Sequence, residues 1–331
     1  MKFVGPNWGG AVISLTSGYD IIGDIHGCAD TLVLLLERMD YQKIKGVYQH
    51  KTRKVIFLGD VVDRGPHIRE ALHIVRDMVD GGHAEIVMGN HEYNAITYCT
   101  PGRPGDGREF LRRHDARHTR QIAETLEQFA HHPQEWQEFL GWFQDLPLFI
   151  EKPGFRVVHA CWDDALISQY KKEYGKNTVD RDFIYDSVEK QSFAGQFLDR
   201  LTRGIDMPLA NGRSMTSRDG YTRQVFRTRF WGLEANCYRE LAFQPDPLPE
   251  DIAALQISEE NRKRLCHYGP DELPLFIGHY WLNDSPAPLA PNVACLDYSA
   301  VKYGRLAAYR MDGERQLSKN KYVWVYVDRE Q

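Results

Sequence analysis

The feature that most constrains this chain is a recurring pattern in which a short apolar run ends directly in a polar loop that contains glycine or histidine. Five such runs are rich in β-branched or aromatic residues and have the length of a buried strand. They cover residues 19–22, 55–58, 85–88, 155–158 and 275–277. Between the first three runs, apolar residues recur at helical spacing over 29–39 and 68–79. This alternation of strand and helix predicts an α/β sheet.

The rest of the chain predicts two insertions and a return to strands. A Gly- and Pro-rich loop at 101–107 precedes helical patterns at 121–129 and 135–143, with Pro133 near the start of the second. We therefore expect a helical insertion near 101–150. The charged and aromatic stretch near 162–270 predicts an irregular insertion. Strand-like runs return at 292–298, 305–311 and 322–327. The pattern predicts a single domain over residues 1–331.

Residues that suit metal binding follow the five apolar runs directly. Positions just beyond the carboxyl ends of strands in an α/β sheet meet in one crevice. The residues brought together in this way are Asp24, His26, Asp60, Asp63, Arg64, Asn90, His91, His159 and His279. Carboxylate and amide oxygens mixed with imidazoles suit Mn²⁺, Fe or Zn²⁺ better than Ca²⁺ or Mg²⁺.

This set of side chains predicts the hydrolysis of phosphate esters. Asp60 could bridge two divalent ions held roughly 3.5–4 Å apart, which would activate a bridging water and bind the phosphoryl oxygens. We expect direct attack of that metal-bridging hydroxide on phosphorus. The planar guanidinium of Arg64 suits two phosphoryl oxygens. His91 could protonate the departing oxygen, and Asp63 could orient its imidazole.

Three sequence blocks resemble the signature of calcineurin-like metallophosphoesterases. They are Gly-Asp-Ile-His-Gly at 23–27, Gly-Asp-Val-Val-Asp-Arg-Gly at 59–65 and Gly-Asn-His-Glu at 89–92. Their form is similar to the phosphoprotein-phosphatase branch, which includes bacterial serine/threonine phosphatases and diadenosine tetraphosphatases. The resemblance implies a two-sheet β-sandwich flanked by helices. It also implies a dinuclear site at the strand ends, with Mn²⁺ as the expected metal.

The resemblance also implies roles for individual residues. One ion is implied on Asp24, His26 and Asp60, and the other on Asp60, Asn90, His159 and His279. His91 is implied as the general acid with Asp63, and Arg64 as the phosphate-binding arginine. A second phosphate-binding arginine is expected between residues 200 and 240. The candidates there are Arg223, Arg227 and Arg229.

Two departures from the family pattern bear on the substrate. Cys161 and Trp162 stand after His159 and Ala160, where family members commonly have glycine, and the chain has no Ser-Ala-Pro-Asn-Tyr-Cys segment. Both departures argue against a eukaryotic-style role on phosphoproteins. Trp281, like Trp162, lies close after a ligand histidine. Core packing is the expected role for both, with stacking on the substrate as the alternative.

Several functions remain open at this stage. The first is hydrolysis of phosphomonoesters on a phosphorylated protein or small molecule, and its nearest alternative is hydrolysis of diadenosine tetraphosphate. A nuclease or cyclic phosphodiesterase and a non-catalytic metal-binding scaffold are the others. The net charge of −5 provides no global field for a long nucleic acid, so none is expected as a partner.

The location follows from what the sequence lacks. No window reaches 18 consecutive apolar residues, and the apolar run at 11–15 is too short for the core of a signal peptide. The six cysteines are scattered without a Cys-x-x-Cys pair, which favours free thiols. We expect a cytoplasmic protein without a membrane partner, and the sequence predicts no oligomeric state.

Overall fold

The strands and helices follow the apolar runs of the sequence in a computed structural model that describes residues 18–209, 212–216, 222–244 and 247–328. The run at 11–15 lies outside these residues. The strands are β1 (Gly18–Ile22), β2 (Gln42–Ile44), β3 (Val47–Gln49), β4 (Arg53–Phe57), β5 (Ala84–Ile86), β6 (Phe149–Lys152), β7 (Phe155–Val158), β8 (Asp206–Pro208), β9 (Met215–Thr216), β10 (Thr222–Arg223), β11 (Val225–Thr228), β12 (Ala242–Gln244), β13 (Leu275–Ile277), β14 (Val293–Cys295), β15 (Asp297–Tyr298), β16 (Arg305–Met311) and β17 (Tyr322–Tyr326). The helices are α1 (Ala29–Arg38), α2 (Ile68–Asp80), α3 (Asn90–Cys99), α4 (Ala116–Gln128), α5 (Pro133–Gln144), α6 (Asp164–Tyr174), α7 (Arg181–Asp186), α8 (Phe193–Arg203), α9 (Tyr238–Leu241), α10 (Glu250–Ala253) and α11 (Glu259–Arg262).

Two sheets carry the candidate site residues. The first has the order β15-β16-β1-β4-β5, with β17 paired to β16. Its strands β1, β4 and β5 are parallel, as the alternation of strand and helix predicts, and β16 runs antiparallel to β1. The second sheet has the order β14-β13-β7-β6, in which β14, β13 and β7 are parallel and β6 is antiparallel.

The two sheets pack face to face because their side chains alternate between two environments. Ile21 and Ile56 of the first sheet share a fully buried cluster with Val157 and Phe276 of the second. Phe57, the next residue after Ile56, instead belongs to the cluster that includes the apolar residues of the helices. This period-two alternation is expected for strands that are covered on both faces. The predicted α/β fold, a two-sheet sandwich flanked by helices, is confirmed.

The predicted helices form with shifted ends, and helix α3 was not predicted. Helix α4 begins at Ala116 rather than near 121 because the Asp115 side chain accepts hydrogen bonds from the backbone N–H groups of Arg117 and His118. Helix α5 begins at Pro133, in the first turn as expected. Helix α3 lacked an amphipathic pattern because its residues 90–98 are all buried and many are polar.

The stretch near 162–270 contains more regular structure than the sequence predicted. Helices α6, α7 and α8 begin after Asp163, Asp180 and Ser192, whose side chains accept hydrogen bonds from backbone N–H groups of the first turn. Such residues are the usual N-cap signals, and they were overlooked in the sequence. A small sheet of order β12-β11-β8 follows, with its own buried apolar cluster. No helix among the described residues combines the length and apolar character needed to cross a membrane.

Candidate metal centre

The loops after five strands bring the six predicted ligands into one buried crevice. Asp24 and His26 follow β1, Asp60 follows β4, Asn90 follows β5, His159 follows β7 and His279 follows β13. All six side chains are buried, with exposed fractions of 8% or less. Because β1, β4 and β5 are parallel to each other and β7 and β13 likewise, each sheet delivers its loops at one end.

The backbone at this crevice is strained at several residues that are not glycine. The φ angle is 44° at His26, 49° at Asp60 and 69° at His279. Asp63 and Arg64 also have positive φ, at 69° and 73°. Each such residue costs about 1–3 kcal/mol, and such strain clusters at functional sites. All five of these residues are ones that the sequence predicts for the site.

Asp60 lies at the middle of three imidazoles. Its Oδ2 atom is 3.5 Å from His159 Nε2, 3.7 Å from His26 Nε2 and 3.9 Å from His91 Nε2. Two groups of possible ligands therefore share this carboxylate. One consists of His26, Asp60 and His91, and the other of Asp60, His159 and His279.

Asn90 lies beside the two imidazoles of the second group. Its Oδ1 atom is 2.7 Å from His279 Nδ1 and 3.3 Å from His159 Nε2. Asp24 lies behind His279, whose backbone N–H donates to Asp24 Oδ2 over 3.1 Å. The six predicted residues thus lie together, and the first group of possible ligands contains His91, where the family resemblance implies Asp24.

Two of the histidine rings, those of His26 and His159, are oriented as metal ligands usually are. His26 Nδ1 is 2.8 Å from the carbonyl oxygen of Val62, and His159 Nδ1 is 2.6 Å from that of Leu58. A backbone carbonyl that accepts from one ring nitrogen leaves the other free to bind a metal. Nε2 of both rings consequently faces Asp60. The donor set of this crevice fits divalent cations.

The buried charged groups of the crevice also favour a bound cation. Burial raises the pKa of Asp24 well above its ordinary value, and the nearby carboxylate of Asp297 raises it further. Burial opposes the charge of His159, but the Asp60 carboxylate outweighs it and raises the pKa of His159 to about 10. Burial also opposes ionisation of Asp60, but the imidazoles, His159 foremost, hold its pKa well below the ordinary value. A cation bound here would neutralise carboxylates that water cannot reach.

His91 is held by Asp63, and Asp63 is held by a residue that the sequence did not reveal. His91 Nδ1 is 2.5 Å from Asp63 Oδ2. The hydroxyl of Thr125 on α4 donates to Asp63 Oδ1 over 2.6 Å and accepts from the Asp63 backbone N–H over 3.0 Å. No local motif marks Thr125, since it lies 62 residues further along the chain.

Glu92, the last residue of the third block, links two of the ligand loops. Its carboxylate accepts hydrogen bonds from the backbone N–H groups of Asp60 and Val61, each over 2.8 Å. It also accepts from the N–H of Gly89 over 3.0 Å, at the start of α3. Burial raises the pKa of Glu92, and the neighbouring Asp60 carboxylate adds to this rise. The third block contains Glu92, but the sequence predicts no role for this side chain.

Arg64 lies at the mouth of the crevice. Its Nη1 atom is 3.0 Å from His26 Nε2, and its guanidinium carbon is 4.4 Å from the ring centroid of Trp281. Trp281 is half-buried, so it lies beside the crevice rather than in the core. Trp162 is 1% exposed and packs in the main cluster, as expected.

The three arginines considered for a second phosphate contact lie in different surroundings. Arg227 Nη1 is 3.4 Å from the carbonyl oxygen of His279, next to the crevice. Arg229 lines a separate cavity of about 280 Å³ together with Trp231 and other residues, none of them a predicted ligand. Arg223 lies in the short strand β10.

Fold and donor set together define a metal-dependent hydrolase of phosphate esters, and sequence comparison agrees. Residues 19–194, more than half of the chain, match the family model of calcineurin-like phosphoesterases. The chain belongs to this family. The family that the three sequence blocks predict is thereby confirmed.

Relatives of known name match this chain over very different lengths. An asymmetrical bis(5'-nucleosyl)-tetraphosphatase of Halalkalibacterium halodurans is 43% identical over 74 residues, which cover 22% of this chain and 30% of the relative. One of Oceanobacillus iheyensis is 28% identical over 46% of this chain and 60% of the relative. These matches thus span less than two thirds of either relative. A symmetrical bis(5'-nucleosyl)-tetraphosphatase of Actinobacillus succinogenes is 24% identical over 90% of this chain and 95% of the relative.

Solved structures of phosphatases also align with most of the chain. A serine/threonine phosphatase of Saccharomyces cerevisiae covers 96% of this chain and 81% of its own, with 13% identity and a TM-score of 0.48. A cold-active protein-tyrosine phosphatase of a Shewanella species covers 94% of this chain and 80% of its own, with 16% identity and a TM-score of 0.46.

Proposed function

We propose that this chain hydrolyses phosphate esters with two divalent cations, Mn²⁺ being the ion we expect and Fe or Zn²⁺ the alternatives. The ligands we propose are Asp24, His26, Asp60, Asn90, His159 and His279. Bound here, the cations would activate water and neutralise phosphoryl oxygens. Other side chains of the crevice would bind the phosphoryl group and protonate the leaving oxygen.

The observation that carries this proposal is the His91–Asp63 pair inside the same crevice as the ligands. Asp63 accepts from Nδ1 of His91, so the other ring nitrogen, Nε2, faces Asp60 and the crevice. A proton on Nε2 can pass to the oxygen that leaves phosphorus. Asp63 fixes the ring in the orientation that this transfer requires. We therefore propose His91 as the general acid.

Two arginines would hold the phosphoryl group. Arg64 stacks on Trp281 and borders His26, which places a planar two-pronged donor at the mouth of the crevice. Arg227 donates from Nη1 to the carbonyl oxygen of His279 over 3.4 Å. We propose both as substrate-binding residues. Arg229, which lines a separate cavity, is the weaker candidate.

The substrate class that we propose first is a phosphomonoester on a small molecule or protein. Its terminal phosphoryl group could be bound by Arg64, and its leaving oxygen could be protonated by His91. Dinucleoside tetraphosphates are the second candidate. The names of the relatives favour it, above all the symmetrical tetraphosphatase that aligns along 95% of its length. Neither substrate needs a membrane or a long nucleic acid.

A metal-restoration assay tests the proposed function. The protein is stripped with a chelator and assayed with and without Mn²⁺ on an aryl phosphate, a phosphopeptide and diadenosine tetraphosphate. We expect activity only with the ion, and its loss in His91→Ala. His131→Ala, a change at an exposed histidine of the helical insertion, is the matched control. Turnover of the dinucleotide alone would refute the monoesterase proposal, and a fully active His91→Ala variant would refute the general acid.

We also propose a cytoplasmic location. All six cysteines are free, including Cys161 and Cys266, whose sulfur atoms are only 3.4 Å apart. Thiols this close persist best in a reducing compartment. Cell fractionation checks the proposal, and recovery of the protein outside the cytoplasmic fraction would contradict it.

A further inference from the structure

Two of the six cysteines lie in sulfur–sulfur contact beside a loop that carries a proposed ligand. The Sγ atoms of Cys161 and Cys266 are 3.4 Å apart, although the two residues are separated by 105 positions in the chain. Cys161 lies two residues after the proposed ligand His159. The two sulfur atoms are thus close enough that a small movement would let them bond.

The segments that carry these two cysteines are held together by one arginine of α8. Arg200 donates from Nη1 to Asp163 Oδ2 over 2.6 Å and from Nη2 to the carbonyl oxygen of Arg264 over 2.9 Å. Asp163 lies two residues after Cys161. Arg264 lies two residues before Cys266. Because one side chain binds both segments, the sulfur atoms are held near each other, and such positioning favours a reaction between them.

The two thiols differ in their access to solvent. Cys161 is fully buried, with an exposed fraction of 0%. Cys266 is partly exposed and lines the same cavity of about 280 Å³ as Arg229 and Trp231. A small reagent that enters this cavity therefore meets Cys266 first. Cys161 is reached only through the sulfur of Cys266.

We propose that Cys266 exchanges with a small-molecule disulfide and that Cys161 then completes a reversible disulfide bond within the chain. Cys266 loses its proton and attacks one sulfur of the reagent, whose S–S bond breaks, and one small thiolate leaves and takes up a proton. Cys161 loses its proton and attacks Cys266 Sγ, and the second small thiolate leaves in the same way. The two cysteines lose two electrons and two protons, and the reagent gains them.

This modification goes beyond the proposed hydrolysis and agrees with the free thiols of the structure. In a reducing compartment, small thiols outnumber their disulfides, so the pair stays reduced. It becomes oxidised when that balance shifts, and small thiols reverse the exchange afterwards. The pair is therefore a redox-sensitive site.

The bond would affect the proposed metal site through His159, a consequence that rests on the proposed function. An S–S bond is shorter than the present contact, so its formation draws Cys161 toward Cys266. The carbonyl oxygen of His159 accepts from the Gly278 N–H over 2.8 Å, next to the proposed ligand His279. A movement of Cys161 therefore disturbs a contact between the loops of two ligand histidines. Because metal affinity depends on ligand orientation, the oxidised protein binds Mn²⁺ more weakly.

The test treats the Mn²⁺-loaded full chain with oxidised glutathione and then removes the reagent. One readout is a map of disulfide-linked peptides by mass spectrometry without reduction. The other is the Mn²⁺ affinity of the reduced and the oxidised protein after chelator treatment, measured by calorimetry. The variants are Cys266→Ser and Cys161→Ser. Cys237→Ser, at another partly exposed cysteine of the same insertion, is the matched control.

We expect a peptide pair linked through Cys161 and Cys266 in the unaltered protein and in Cys237→Ser, and its loss with dithiothreitol. The Mn²⁺ affinity should fall about tenfold or more on oxidation and return on reduction. Cys266→Ser should show the same Mn²⁺ affinity before and after treatment. Cys161→Ser should stop at a glutathione adduct on Cys266.

Absence of the linked peptides would overturn the proposed disulfide. An unchanged Mn²⁺ affinity in fully oxidised protein would overturn its effect on the metal site. If the reduced protein bound no Mn²⁺ at all, the proposed function would fail instead, and the peptide map would still test the disulfide.

Discussion

The Glu92 side chain lies between two of the loops that carry the proposed ligands. Its two carboxylate oxygens accept from backbone N–H groups of Asp60, Val61 and Gly89, so one side chain joins the loop after β4 to the start of α3. Asp60 is the shared member of both ligand groups. A side chain that holds the Asp60 backbone therefore controls where both cations can lie.

We predict that Glu92→Gln destabilises the protein by about 1–3 kcal/mol, because the amide has one acceptor oxygen and turns an N–H group toward buried backbone donors. Urea unfolding measures the change in free energy. Glu138→Gln, at an exposed position of α5, is the control and should stay within about 0.5 kcal/mol. A Glu92→Gln protein as stable as the control would contradict this account.

Among the individual residues of the site, some could be predicted from the sequence and others could not. Asp24, His26, Asp60 and Asn90 could be predicted because each follows a strand within a few residues, Asp24 and His26 after the same one. Thr125 could not be found in this way, since its hydroxyl reaches Asp63 only through the packing of α4. Site residues that lie close together in the sequence can be predicted from a motif. Contacts between distant segments can be identified only in the folded structure.

At the scale of elements, helix α4 supports His91, the proposed general acid, although none of the proposed catalytic residues lies on this helix. It begins at Ala116 in the predicted helical insertion and presents Thr125 to Asp63. The insertion near 101–150 thus reaches into the proposed catalytic apparatus. Its helices were predicted from periodicity, but their contact with the crevice depends on tertiary packing.

We predict that Thr125→Val lowers kcat about tenfold while the protein stays folded, because Asp63 loses a hydrogen bond and holds His91 less firmly. Steady-state kinetics on the best substrate, with circular dichroism as a check of folding, measures this. Thr119→Val changes a threonine of the same helix whose hydroxyl contacts Tyr98 instead. Equal losses of kcat in Thr125→Val and Thr119→Val would contradict this prediction.

At the scale of the whole molecule, we propose that residues 1–331 form one domain. The largest buried cluster contains apolar residues of both sheets and of both insertions, from Ile22 through Leu111 and Phe183 to Ala308. A shared core favours a cooperative transition. Scanning calorimetry should show one unfolding transition, and two well-separated transitions would contradict the proposal.

The metal-free molecule should lose stability as the pH rises above neutrality. The pKa of His159 is raised from an ordinary 6.5 to about 10 by the Asp60 carboxylate, which outweighs the opposing effect of burial. A raised pKa means that the folded state holds the proton more tightly than the unfolded state. The stabilisation is complete below pH 6.5 and is lost as the pH approaches 10.

Urea unfolding of chelator-treated protein across this range measures the loss. Protein loaded with Mn²⁺ at neutral pH and freed of excess ion should not show it, because a metal-bound His159 carries no such proton. If both forms showed the same pH dependence, His159 would not be a ligand.

The central claim is that two cations share Asp60, and anomalous scattering from a crystal of the Mn²⁺-loaded protein tests it most directly. The account predicts two anomalous peaks roughly 3.5–4 Å apart on either side of the Asp60 carboxylate. One peak should adjoin His26, and the other should adjoin Asn90, His159 and His279. A single peak, or peaks that leave Asp60 uncoordinated, would contradict the account.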